Sequence, residues 1–262
     1  MKTNFLFIGS IALFVTSAIY VSMVFVPAQS DKAGDVIPTT FAVVELFTSE
    51  GCSSCPAADE ILGKLHSEYK ENNLPVYVLA YHVDYWNYLG WKDDYSKKEY
   101  TQRQSRYGEV FSLQSVYTPQ MIVNGSTEFV GSNRSRAETA VKYALSRQAE
   151  VRIDLKGCFI INDSTIKVIY AVDNFLADMV LNFAVVERGL SREIRRGENA
   201  GRTLKHHNVV RAFQNTKVKG QSEMTIIVPP EMVFKNAALI VFAQHSSSMN
   251  IVGAAELEIS IK

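Results

Sequence analysis

The stretch that decides the fold is Phe41-Ala-Val-Val-Glu-Leu-Phe47, followed across Thr48-Ser-Glu-Gly51 by Cys52-Ser-Ser-Cys55-Pro56. The first part is an apolar run and reads as a buried strand. From Ser54 to about Lys70 the period becomes helical: Ala58, Ile61, Leu62, Leu65 and Tyr69 form one apolar stripe, with Asp59, Glu60, Lys64, Glu68 and Lys70 mostly opposite. Pro56 falls in the first turn, where its missing N–H costs nothing. Two cysteines at this spacing bring their sulfurs together where unpaired backbone N–H groups and the helix dipole favour a thiolate. Cys55 shares the stripe of Ala58 and Leu62, whereas Cys52 precedes the helix at its exposed end. The spacing therefore predicts that Cys52 attacks or is attacked and that Cys55 resolves the mixed disulfide. Two other readings stand beside it. A structural disulfide would close too small a loop to stabilise much. Half a zinc site would find only Cys158 as a further thiol.

Working outward, Pro75-Val-Tyr-Val-Leu-Ala-Tyr-His-Val83 reads as a second buried strand, parallel to the first because a helix connects them. A polar-aromatic stretch, Asp84 to Asp94, leads to a charged helix over Ser96–Tyr107. Thr118 to Val130 reads as a hairpin around the type I′ turn signal Asn124-Gly125, and Asn133 to Gln148 as a further helix. The order β-α-β-α-β-β-α matches a thioredoxin-like core over residues 41–149. Beyond it only strands are expected: Val151–Leu155, Thr165–Val172, Met179–Glu187, Val209–Gln214, Ser222–Val228, Ala238–His245 and Ile251–Ile261, interrupted by a polar insertion from Arg188 to Asn208. The fold class so predicted is an α/β thioredoxin-like domain followed by an all-β antiparallel sandwich over residues 150–262.

Several residues gather, on this reading, around the cysteines. The strand opened by Thr118-Pro119 would run antiparallel to the first two, bringing its start to the edge that carries the CxxC. A cis Pro119 there would present backbone to a partner, against the alternative of an ordinary trans proline on an edge strand. His82 and Asp84 end the second strand at that same edge and can move protons for the thiols. Equally, His82 reads as a satisfied strand-end histidine and Asp84 as a turn or cap. Tyr85, Trp86, Tyr88 and Trp91 read as a hydrophobic wall for a partner or as packing of a long loop. Arg195 to His207 reads as a lid over the thiols, an anion site or a solvated loop. Cys158 reads as a buried small hydrophobe. No Gly-rich nucleotide loop, HExxH or nucleophile elbow occurs.

The 262 residues are 47% hydrophobic with a formal net charge of +0, which gives no sign of a nucleic-acid partner. Lys2 precedes an apolar run from Phe5 to Val26, then Val26-Pro27-Ala28 and a polar linker over residues 29–40. Residues 1–28 read either as a cleaved secretory signal or as an uncleaved anchor long enough for the ~30 Å hydrocarbon layer. Both place the rest outside the cytoplasm, secreted or periplasmic, with the membrane touched only through residues 5–26. An exported chain with three cysteines, two of them in one CxxC, uses that pair for work and not as a framework.

The phrases VVELFTSEGCSSCPAAD (Val43–Asp59), HVDYWNYLGWKDDYS (His82–Ser96), TQRQSRY (Thr101–Tyr107), VYTPQMIVNG (Val116–Gly125) and RGENAGRTLKHHNVVR (Arg196–Arg211) resemble a bacterial family of secreted proteins of unknown function. The resemblance implies a thioredoxin-like fold, export and the CxxC position, but no established reaction. The expected function is an exported thiol–disulfide oxidoreductase, with Cys52 as nucleophile, Cys55 as resolving thiol, Thr118 and Pro119 placing the substrate, and His82 and Asp84 managing protons. It would need no organic cofactor and would take electrons from a dithiol protein outside the cytoplasm. Two alternatives belong to other classes: a copper or zinc protein with Cys52, Cys55 and His82 as ligands, and a non-catalytic interaction module using the β region.

Overall fold

The computed structural model describes residues 39–259. The expected signal or anchor over 1–28 and all but the end of the linker lie outside them. Among the described residues no helix is long and apolar enough to cross a membrane.

The chain runs through β1 (Ala42–Thr48), α1 (Cys55–Glu71), β2 (Val76–His82), α2 (Lys98–Val110), β3 (Gln120–Val123), β4 (Thr127–Val130) and α3 (Arg134–Leu145). It continues through β5 (Arg152–Asn162), β6 (Thr165–Asp173), β7 (Met179–Glu187), β8 (Leu190–Glu193), β9 (Thr203–His206), β10 (Val209–Lys217), β11 (Gln221–Ile227), β12 (Ala237–His245) and β13 (Ile251–Glu258). Most of the expected segments form where their periodicity places them. Asn124 and Gly125 both take positive φ, 46° and 64°, as a type I′ turn between β3 and β4 requires.

Their assembly differs from the expectation. Eight strands form one sheet in the order β13-β12-β7-β10-β2-β1-β3-β4. An α/β thioredoxin-like domain followed by a separate all-β sandwich is therefore not the fold. The boundary expected at residue 150 is crossed inside the sheet, where β10 lies parallel to β2 with Val209 opposite Ala80. Ala80 N–H donates to Asn208 O at 2.9 Å, and the Asn208 side chain donates to Val78 O at 3.0 Å. A strand as apolar as β2 needs covering on both faces, but its composition does not say which strand pairs with its free edge. The physical cause of the error lies there. A three-stranded sheet, β11-β6-β5, stands apart, and β8 and β9 form a hairpin within the segment expected to be a plain polar insertion.

Alternation sorts the side chains. Even-numbered residues of β1 and β2 (Val44, Leu46, Val78, Ala80) pack with Ala58, Leu62 and Leu65 of α1 and with α3. Odd-numbered ones (Val43, Phe47, Leu79, Tyr81) pack with Tyr100 and Tyr107 of α2, in a cluster that continues onto Val186, Val210, Ile240 and Phe242. The opposite face of β7, β10 and β12 packs against β5, β6 and β11. Cys158 is partly buried against that last cluster, and burial pushes its thiol up to about 12.

One odd position of β1 is charged. Glu45 is fully buried among the aromatics of α2, and Arg103 reaches it with Nε 2.6 Å from Oε1. The guanidinium lies 5.0–5.6 Å from the ring centres of Phe213, Tyr107, Phe242 and Tyr81. Tyr107 O–H also donates to Glu45, and Gln244 of β12 bonds both Arg103 and Tyr107. This network ties β1, α2 and β12 together across the junction of the two halves.

Candidate functional site

Cys52 and Cys55 are joined in a disulfide at the start of α1, with Cα atoms 5.4 Å apart. Both residues are buried, at 1% and 0% exposure, which corrects the expectation of an exposed Cys52. The cover comes from the segment between β8 and β9. Asn199 Nδ2 donates to Glu50 O at 2.9 Å and to Cys52 O at 3.0 Å, and Glu198 accepts from Ser53 N–H at 3.0 Å. Of the readings for Arg195–His207, a lid over the cysteine pair matches the observed contacts. Gly63 in α1 lets this segment close. A Cβ there would come within 2.5 Å of the His207 ring, which explains a glycine where the helix would otherwise favour alanine.

Thr118-Pro119 is a cis peptide bond. β3 pairs antiparallel with β1, Gln120 opposite Phe47, so Pro119 lies one step further toward the cysteine edge. Trp86 links the two parts: its Nε1 donates to Thr118 Oγ1 at 2.8 Å, and a Cβ added at Gly51 would come within 3.0 Å of the Trp86 Cβ. Trp91 donates to Glu50 Oε2 at 2.8 Å. Both tryptophans thus hold the site from within. Tyr88, at 82% exposure, is the aromatic of the four that faces solvent.

The parallel register sets Thr48 beside His82, both on the α1 side of the sheet. Asp59 follows Cys55 by four residues and so shares its face of α1. It was expected on the polar side of the helix but is 5% exposed, and its Oδ2 accepts from Thr48 Oγ1 at 2.8 Å. His82 Nδ1 lies 2.6 Å from Asp93 Oδ2, which also accepts from Glu50 N–H at 2.9 Å. His206, at the end of β9, places its ring centre 5.0 Å from that of His82 and its Nε2 3.1 Å from Glu50 Oε1. Ligand atoms of Asp59, His82 and His206 all lie within 4.8 Å of one another. Burial pushes the His82 pKa down, but the Asp93 carboxylate outweighs it and the net shift is upward. Burial also pushes Asp93 up, and His82 overrides it, leaving that carboxyl low. At Asp59 burial prevails and raises the carboxyl, despite His206 and His82 nearby.

Asp84 stands elsewhere. Its Oδ1 accepts from Thr101 Oγ1 at 2.5 Å and its N–H donates to the same oxygen at 3.1 Å, so it braces α2, the bland reading of the two. His82, expected beside the cysteines as a ligand or proton carrier, is grouped with Asp59 and His206. The residues missed from sequence are Glu50, Asp59, Asp93, Asn199 and His206. Asp59 had a signal in its four-residue offset from Cys55. The others come from loops and a hairpin whose return to the sheet edge no local pattern announces.

The chain is thus a mostly β protein, with a mixed eight-stranded sheet and a buried, covered CxxC disulfide at one edge. The chain belongs to the family described as protein of unknown function (DUF1223), whose profile matches residues 43–244. It is similar to the solved structure of protein AGR_C_4864 from Agrobacterium tumefaciens, at 28% identity and a TM-score of 0.63 over 86% of this chain and 97% of that one. A domain of the outer membrane lipoprotein Omp28 from Porphyromonas gingivalis gives 15% identity and a TM-score of 0.28 over 43% and 89%, too slight a likeness to define a fold. No curated protein matches.

Proposed function

We propose that the protein is a thiol–disulfide oxidoreductase that works outside the cytoplasm through Cys52 and Cys55. The observation that supports it is the disulfide at the start of α1, covered by a segment held through a few side-chain bonds. A bridge between cysteines this close in sequence adds little chain-entropy stability, so a purely structural role gives it little purpose.

In the reaction, a thiolate of a donor dithiol attacks Cys52 Sγ. The Cys52–Cys55 bond breaks and its electron pair goes to Cys55 Sγ, which takes up a proton. The donor's second thiol then attacks the mixed disulfide and releases Cys52. Two electrons and two protons pass from the donor to the pair, and the donor leaves as a disulfide. The reverse sequence reduces a substrate disulfide. Thr118 and Pro119 are the docking edge for the incoming disulfide. The test is Cys55→Ser, which cannot resolve the intermediate. It should accumulate a mixed disulfide at Cys52 with an envelope protein, identified by mass spectrometry after alkylation. A Cys55→Ser protein recovered with Cys52 free under the same conditions sinks the reading.

Asn199 gates access in this scheme. The two hydrogen bonds from its Nδ2 to the cysteine loop are each worth about 0.5–1.5 kcal/mol, so Asn199→Ala should speed reduction of the pair by dithiothreitol roughly tenfold. The readout is the mass shift on alkylation as a function of time. An unchanged rate would show that the segment opens by another route.

A further inference from the structure

We propose that Asp59, His82 and His206 form a binding site for a divalent transition-metal ion, with zinc the best-suited occupant, beneath the cysteine pair. The site goes beyond the redox reading and uses neither sulfur.

Three observations carry it. First, each residue keeps one buried polar atom with no hydrogen-bond partner in the structure: Asp59 Oδ1, His82 Nε2 and the His206 Nδ1. Such groups are rare in a native interior, and three in one cluster call for a shared occupant. Second, the other polar atom of each is held by a neighbour. His82 Nδ1 is held by Asp93, His206 Nε2 by Glu50, and Asp59 Oδ2 by Thr48. A carboxylate that takes the N–H of an imidazole turns the lone pair of the opposite nitrogen toward the cluster, the arrangement found around metal-bound histidines. A single cation takes a lone pair from each of the three at once. Third, three carboxyl groups are gathered in one interior. Glu50, Asp59 and Asp93 are all buried, and among the described residues the guanidinium in contact with them is that of Arg192, 3.1 Å from Glu50. A divalent ion is the occupant such a carboxylate-rich interior favours.

Two imidazoles and one carboxylate suit zinc with a position left open for a further ligand. Bonds of about 2.0–2.1 Å set ligand atoms roughly 3.4 Å apart, inside the 4.8 Å envelope seen here. His206 arrives on the same segment that carries Asn199, so the lid and the metal site are parts of one element.

The experiment titrates Zn²⁺ into the oxidised, full-length protein in competition with a chromophoric chelator. One ion per chain is expected. Asp59→Asn, nearly isosteric, and His206→Ala should each weaken binding at least about a hundredfold, more than loss of a neighbour that only orients a ligand. Cys52→Ser/Cys55→Ser should bind as the wild type does. That variant has no disulfide chemistry, so failure here and failure of the redox reading are separable. X-ray absorption of the zinc-loaded wild type needs no variant and should show nitrogen and oxygen neighbours without sulfur. Zinc-insensitive protein, meaning that water or protons fill the cluster, overturns the proposal. So does a sulfur neighbour, or binding within threefold of wild type in both ligand variants.

Discussion

Arg103→Met should destabilise the protein by about 3–5 kcal/mol, because it strips the partner from a fully buried carboxylate. For a chain of this size that corresponds to a fall in unfolding temperature of about 6–20 °C. The loss comes less from the missing attraction than from Glu45 left charged among Phe47, Tyr81 and Tyr107, where only Tyr107 O–H still donates to it. Glu45→Leu combined with Arg103→Met should therefore recover most of the loss, since an apolar pair of similar volume carries no desolvation cost. Thermal unfolding of the two variants checks both statements. A single substitution costing under about 1 kcal/mol would mean that water reaches the pair.

Cys52→Ser should lower disulfide exchange with a dithiol donor on the order of 10³-fold or more, because it removes the sulfur on which both half-reactions run. Its stability should fall by no more than about 2 kcal/mol, since the bridge closes so short a loop. The two effects together separate a working pair from a structural one. A structural bridge would instead show only the fall in unfolding temperature, with no exchange activity to lose. The measurements are the turnover of a disulfide peptide and the thermal transition of the same preparation.

How far the chain can be read without a structure depends on the range of the signal. Local signals hold: the Asn124-Gly125 turn takes the positive φ values its composition asks for, and the CxxC sits at the start of α1. The Thr118-Pro119 bond is cis, which followed from layout and not from the dipeptide. Long-range pairing does not show. β2 and β10 are both apolar, and nothing in either names the other as neighbour, so the single sheet looked like two domains. Asp59 looked like solvated helix surface, because the stripe was drawn through apolar residues and a buried carboxylate breaks that rule. His206 and Asn199 are legible only as parts of an unusual polar segment. Their meaning comes from the β8–β9 hairpin that folds them back over the cysteines.

On the proposed mechanism the Cys52–Cys55 bridge opens and closes during turnover. The most direct measurement adds catalytic amounts of the protein to a dithiol donor and a disulfide peptide, and follows both peptide reduction and the alkylation state of Cys52 and Cys55. The pair should cycle through the reduced form, and peptide reduction should run well above the uncatalysed rate and fall to it in Cys52→Ser. A bridge that stays closed in excess donor, with the same peptide rate for wild type and Cys52→Ser, would rule out a working pair.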